Sequence, residues 1–230
     1  MRRRACSKWR ACWTTCAAPA RSDHLALTNT DTAHTQNLID AGIPLVATQV
    51  QYSVLDRRPA TRLAPLAAAR GMRLLCYGSV AGGFLGDVWR GAEEPTGALE
   101  NRSLVKYRLV IDDCGGWAAL QTVLNVLADI AARHAVGIAN VAQRWVLDQS
   151  AVGAVIVGFR GEASARRTLA TLNLTLTPAD RAQLDAVLRA LPMPAGDVYA
   201  AERDPQSAHA GAIRYNLQRN VDREPLLERQ

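Results

Sequence analysis

Four short apolar runs, kept apart by helical stretches and each closing on small or polar residues, constrain the fold more than anything else in this chain. The runs are HLALTN (24–29), PLVATQVQYSV (44–54), RLLCYGSV (73–80) and GAVIVGF (153–159). Helical patterns fill 31–43, 58–72, 117–135, 137–149, 162–172 and 177–191. Their punctuation agrees with that reading. Asp31 or Thr32 is placed to cap the first helix and Gly42 to close it, and Gly71 stands just past the end of the second. Thr177 and Asp180 have the spacing of a reciprocal cap. Residues 81 to about 104 read as a loop rich in glycine and charge. Strands separated by single helices predict βαβ units and a parallel sheet, in which right-handed connections set consecutive strands side by side.

Composition excludes several classes. The formal charge of +6 comes entirely from residues 1–22, where Arg2, Arg3, Arg4, Lys8, Arg10 and Arg21 meet no acid. From Asp23 onward bases and acids balance, so no basic face for nucleic acid is expected. No run of ~18 apolar residues is present, and no membrane span is expected. The five cysteines (Cys6, Cys12, Cys16, Cys76 and Cys114) lack paired spacing. Reduced thiols and a cytoplasmic chain are expected, without a disulfide framework or a metal site. Residues 1–22 lack the apolar core of a secretory signal and are expected to be a disordered segment ahead of a domain spanning 23–220, with a tail at 221–230.

In parallel β/α architectures chemistry sits beyond the C-terminal strand ends. Here those ends offer Thr28 and Asn29, Gln49 and Gln51, Tyr77 and Gly78, then Gly158 and Arg160. Each has a plainer use: Asn29 as a helix cap, Tyr77 as packing, Gly82 and Gly83 as a turn. Amides, hydroxyls, an aromatic ring and glycines on one rim nevertheless suit a planar, amide-bearing, phosphorylated ligand.

From about His24 to Asn220 the chain resembles the aldo/keto reductases. The resemblance is carried by LTNTDTAH (27–34), QVQYSVLDRRP (49–59), LLCYGSVAGGFL (74–85), NRSLVKY (101–107), NVAQRWVLDQ (140–149), VIVGFR (155–160) and RYNL (214–217). That family folds as a (β/α)8 barrel and binds NADP(H). The resemblance implies an α/β fold forming part of such a barrel, strands five to eight with their helices and a C-terminal tail. It implies that Gln49, Thr28 and Asn29 hold the nicotinamide carboxamide, that Tyr77, with Gly78 beside it, stacks on the nicotinamide ring, and that Gly158 and Arg160 meet the adenosine phosphates. A carboxamide has two donors and one acceptor, which Asn and Gln complement. The arginines of the DRRP turn (56–59) are expected to be a solvated helix entry.

The adenosine end departs from the family pattern. Arg167 and Thr168 stand where an acidic residue and an asparagine commonly contact adenine, and Ser164 where a basic residue often meets the 2′-phosphate, so Arg166 or Arg167 would have to serve instead. The family's catalytic Asp, Tyr, Lys and His belong to the first four strands and have no match here. The implied function is NADPH-dependent reduction of an aldehyde or ketone, with a truncated, inactive lone chain as the expectation. The alternatives are one half of a two-chain reductase, and a non-enzymatic dinucleotide-binding or scaffold protein. Self-association through unpaired sheet edges is expected as well.

Overall fold

A computed structural model describes residues 22–158 and 161–212. The segment 1–21, Arg160, the RYNL motif and the tail 221–230 lie outside the described residues. Strands β1 (Leu25–Thr28), β2 (Leu45–Gln51), β3 (Arg73–Tyr77) and β4 (Val152–Val155) form one sheet in that order, every neighbouring pair parallel. Consecutive order is what right-handed β/α connections impose.

Local chemistry sets the helix boundaries. Asp31 caps α1 (Thr32–Asp40) by accepting the His34 amide at 2.8 Å, and Gly42, at φ 78°, turns the chain out of it. The single helix expected over 58–72 breaks at Arg62 (φ −135°) into α2 (Arg58–Thr61) and α3 (Leu63–Ala69). Pro65 is the physical reason, since its ring has no N–H for the Thr61 carbonyl and crowds that turn. After β3 the expected loop holds two 3₁₀ turns, Ala81–Gly83 and Asp87–Trp89. It then runs into an unpredicted helix, α4 (Arg102–Asp113), capped by Asn101. Helices α5 (Gly116–Arg133) and α6 (Ile138–Leu147) precede β4, and α7 (Glu162–Asn173) and α8 (Pro178–Ala190) follow it. Thr177 and Asp180 cap α8 reciprocally, as their spacing predicts. Two short helices, α9 (Ala200–Arg203) and α10 (Ala208–Ala212), complete the described chain.

The register separates the two faces of the sheet. Leu27 pairs with Thr48 and Thr48 with Leu74, while Val50 pairs with Cys76; all five are buried with Leu120, Leu124, Leu127 and Val141 of the helices. Burial pushes the Cys76 and Cys114 thiols up to about 12, which leaves them protonated and inert near neutral pH. The opposite face runs Thr28, Gln49, Leu75 and Ala154 across the four strands; Thr28 is exposed and the other three are half-buried. No single helix among the described residues is long and apolar enough to cross a membrane.

β1 and β4 are edge strands. Ile156, just past β4, and Leu169 and Leu172 of α7 are 43%, 60% and 67% exposed. Unpaired strand edges and exposed apolar side chains each recruit other chains. The purified polypeptide is therefore expected to run above monomer mass in size-exclusion light scattering, and Leu169→Glu with Leu172→Glu to shift it toward monomer. A sharp monomer peak for the unmodified chain would contradict this.

Candidate functional site

The polar ends of β1, β2 and β3 meet at one rim. Thr28 and Gln49 are register partners on adjacent strands and so present a hydroxyl and an amide on the same face. Neither side chain makes a hydrogen bond among the described residues. Asn29 follows at φ 51°, a left-handed conformation that asparagine tolerates better than most residues. That turn takes it out of the strand alternation and lets its Oδ1 accept the Tyr77 hydroxyl at 3.0 Å, leaving the Nδ2 donors uncommitted. Three of the expected cofactor residues with unspent hydrogen-bonding capacity, and the aromatic ring, are thereby in one place.

The turn after β3 is shaped by a ring from α4. A Cβ on Gly78 (φ 69°) would lie 2.4 Å from the Tyr107 hydroxyl, and one on Gly82 (φ 68°) 2.6 Å from the Tyr107 ring. Gly82 thus admits a side chain as well as making a turn. Gly78→Ala meets both penalties, a strained φ and a ring that has to move. It is expected to cost about 2–3 kcal/mol, read by urea denaturation; Gly83→Ala, with open space around it, should cost only the backbone term of about 1 kcal/mol.

The DRRP turn is the main correction to the sequence reading. Arg58 is only 1% exposed. Its guanidinium donates to Asp56 Oδ1 and Oδ2 at 2.8 and 2.7 Å and to Glu202 Oε2 and Oε1 at 2.8 and 2.7 Å. Gln51 Nε2 donates to the same Asp56 carboxylate at 2.7 Å, which removes Gln51 from ligand binding. Arg57 donates to the carbonyls of Leu188, Leu191 and Pro192 at the end of α8. Both arginines clamp the segments after α8 onto the sheet rim rather than facing water. Burial pushes the Glu202 carboxyl up, but the bonds and charge of Arg58 outweigh that and hold it below the ordinary carboxylate range.

A second set of contacts comes from residues 197–203. The Asp197 carboxylate accepts the Thr32 amide at 3.1 Å and the Thr32 hydroxyl at 2.8 Å. Arg203 donates to the Asn29 carbonyl at 2.8 Å and pairs with Asp31. Between them Tyr199, buried and held at φ 65°, brings its hydroxyl within 3.5 Å of the Tyr77 hydroxyl and of the Gln49 carbonyl. A bulky residue in that conformation is strained, and strain of this kind persists only where the surroundings impose it. Burial pushes the Tyr199 phenol far above its ordinary value, so it keeps its proton. Tyr199, Arg203 and Glu202 escaped sequence reasoning; the available signal was the cluster of Tyr, Glu and Arg in DVYAAERD (197–204), beyond the last recognised helix.

The expected adenosine end is described without Arg160. Gly158 is exposed, and a Cβ there would meet nothing within 4 Å. Ser164 and Thr168 are half-buried on α7, and the Thr168 hydroxyl is spent on the Ser164 carbonyl at 3.0 Å. Arg166 pairs with Glu162 at 2.6 Å, on the surface. Among the described residues no group of three His, Cys, Asp or Glu side chains could hold a metal ion.

A model of the Aldo/keto reductase family matches residues 22–189. Over 113 residues, 48% of this chain and 21% of the relative, the sequence is 36% identical to flagellar radial spoke protein 5 of Chlamydomonas reinhardtii. Two solved structures are similar. One is a thermostable aldo-keto reductase in complex with the inhibitor epalrestat, with a TM-score of 0.56 and 18% identity over 77% of this chain and 53% of that one. The other is the glycerol dehydrogenase of Gluconobacter oxydans, with a TM-score of 0.61 and 20% identity over 75% of this chain and 51% of that one. The likeness establishes the fold, a part of a (β/α) barrel. The chain spans about half the length of these solved structures and about a fifth of the radial spoke protein.

Proposed function

The chain belongs to the aldo/keto reductase family, and on that footing we propose that it carries the nicotinamide-binding part of an NADPH-dependent reductase of aldehydes or ketones. The observation that carries this reading is the rim itself. The Thr28 hydroxyl and Gln49 amide stand uncommitted in register, beside the uncommitted Asn29 amide nitrogen. Together they offer the donors and acceptors that a carboxamide needs, next to the Tyr77 ring. The residues present fit the nicotinamide end of NADP(H). The chemistry such a cofactor brings when bound is hydride donation. Thr28, Asn29 and Gln49 would hold the carboxamide, and Tyr77, fixed by its bond to Asn29, would set which ring face is presented.

Neither tyrosine at the described rim is a ready acid. A carbonyl that gains hydride needs a proton at its oxygen. Burial makes the Tyr199 phenol a poor donor, and the Tyr77 proton is committed to Asn29. We therefore read the polypeptide as competent for weak binding and incompetent for turnover by itself. The reading as one half of a two-chain reductase is favoured by one feature, the solvent-facing row of Thr28, Gln49, Leu75 and Ala154, which a closed barrel would enclose.

Contacts worth about 1 kcal/mol each must first offset several kcal/mol for immobilising the cofactor, so an NADPH Kd of ~1 mM or weaker is expected. Titration followed by NADPH fluorescence should show weak saturable binding in the unmodified chain and a roughly fivefold loss in Gln49→Ala. Binding that is indifferent to Thr28→Ala and Gln49→Ala together would remove the rim from the function.

A further inference from the structure

The NRSLVKY motif (101–107) is not accounted for by any of this, and it places a cation at the rim. The chain holds 27 lysines and arginines, yet lysine occurs only at Lys8 and Lys106. Lys106 lies in the first half of α4, one residue before the Tyr107 that fills the glycine turn. Its Nζ sits 4.9 Å from the centroid of the Tyr77 ring and 5.4 Å from that of Tyr107. The side chain is half-buried and makes no ion pair among the described residues.

The charged groups around it do not neutralise it. Asp56 and Glu202 attract the ammonium, but both carboxylates are spent on Arg58, whose own charge repels it. Burial lowers the Lys106 pKa, the two carboxylates raise it, and Arg58 lowers it again, with a net downward result. Ring faces attract a cation without cancelling its charge. A strongly hydrated ammonium withdrawn from water without a counter-charge is costly. This cost is borne next to the Tyr77 ring, proposed to lie against the nicotinamide.

The geometry points to Lys106 as the anion-binding residue of the rim, receiving the carboxylate or phosphate of a small molecule seated over Tyr77. The inference deepens the reductase reading and takes from it only the placement of the ligand at this rim. Two sources share the chemistry. A 2-oxo acid would bring a carboxylate on the substrate side, and the dinucleotide would bring a phosphate on the cofactor side.

With only two lysines, the test can be read at single residues. Reductive methylation with ¹³C-formaldehyde labels Lys106, Lys8 and the N-terminal amine, the lysine signals are assigned with Lys106→Arg and Lys8→Arg, and they are titrated with pH, alone and with pyrophosphate, 2-oxobutyrate or the uncharged ketone butanone. Lys106 is expected to titrate below Lys8. One of the anions should raise it by ~1 unit while Lys8 moves less and butanone has no effect. Pyrophosphate alone acting assigns the cofactor side, and 2-oxobutyrate alone the substrate side. Equal movement of both lysines, or none at Lys106, overturns the proposal. In the unmethylated chain, the same anion should slow acetylation of Lys106 and not of Lys8, and its thermal stabilisation should persist in Lys106→Arg and vanish in Lys106→Met. Anion protection of Lys106 with no NADPH binding would sink the dinucleotide reading and keep this one. NADPH binding and anion stabilisation unchanged in Lys106→Met would do the reverse.

Discussion

Arg58→Ala is expected to remove about 3–5 kcal/mol of stability, enough to unfold much of the population at room temperature. The side chain is 1% exposed and gives four charge-assisted bonds to Asp56 and Glu202. Deleting it leaves two carboxylates buried beside each other without a cation, which is far more costly than losing the pair as a whole. Asp56→Asn with Glu202→Gln and Arg58→Met should therefore be milder than Arg58→Ala alone. The pH dependence has a definite sign. Glu202 is held below its ordinary 4.5 in the folded chain, so its contribution is complete above that value and is lost as acid protonates it in the fold. Urea denaturation at neutral pH and in acid measures both effects. A neutral-pH loss below about 1 kcal/mol for Arg58→Ala would mean that the triad is not closed as described.

This cluster also marks where sequence reading stops. Arg58 and Glu202 are 144 residues apart, and an arginine doublet before a proline looks like any solvated helix entry until its partner is known. Tyr199 and Arg203 reach the rim across similar separations. Helix α4 was illegible for a different reason. Its first turn follows a stretch dense in glycine and charge, and Tyr107, Val110 and Ile111, buried under the glycine turn and in the core, show why it forms. Legible features were those set by neighbours in sequence: the Asp31 and Thr177 caps, the turns at Gly42 and Gly71, and the parallel order of the strands. The Thr28–Gln49 pair was legible because equivalent strand ends in a parallel sheet fall on one rim.

The same separation between local and distant contributions governs activity. On the proposed reading Thr28, Asn29, Gln49 and Tyr77 bind and orient, and none of these four is placed to protonate a carbonyl oxygen. A group so placed is worth about 10²–10⁴-fold in rate. Orientation suffers too, since Leu75 and Ala154 stand half-exposed where a closed barrel would exclude water. Binding and turnover should therefore come apart in this polypeptide, and the most direct test measures both on one preparation. Purified chain is titrated with NADPH by fluorescence, and the loss of NADPH absorbance is then followed with a reactive aldehyde such as nitrobenzaldehyde and no added protein. The account predicts weak binding that Gln49→Ala diminishes, and oxidation indistinguishable from a blank without protein. Oxidation above the blank that disappears in Tyr77→Ala would contradict it, because it would require a proton donor at this rim.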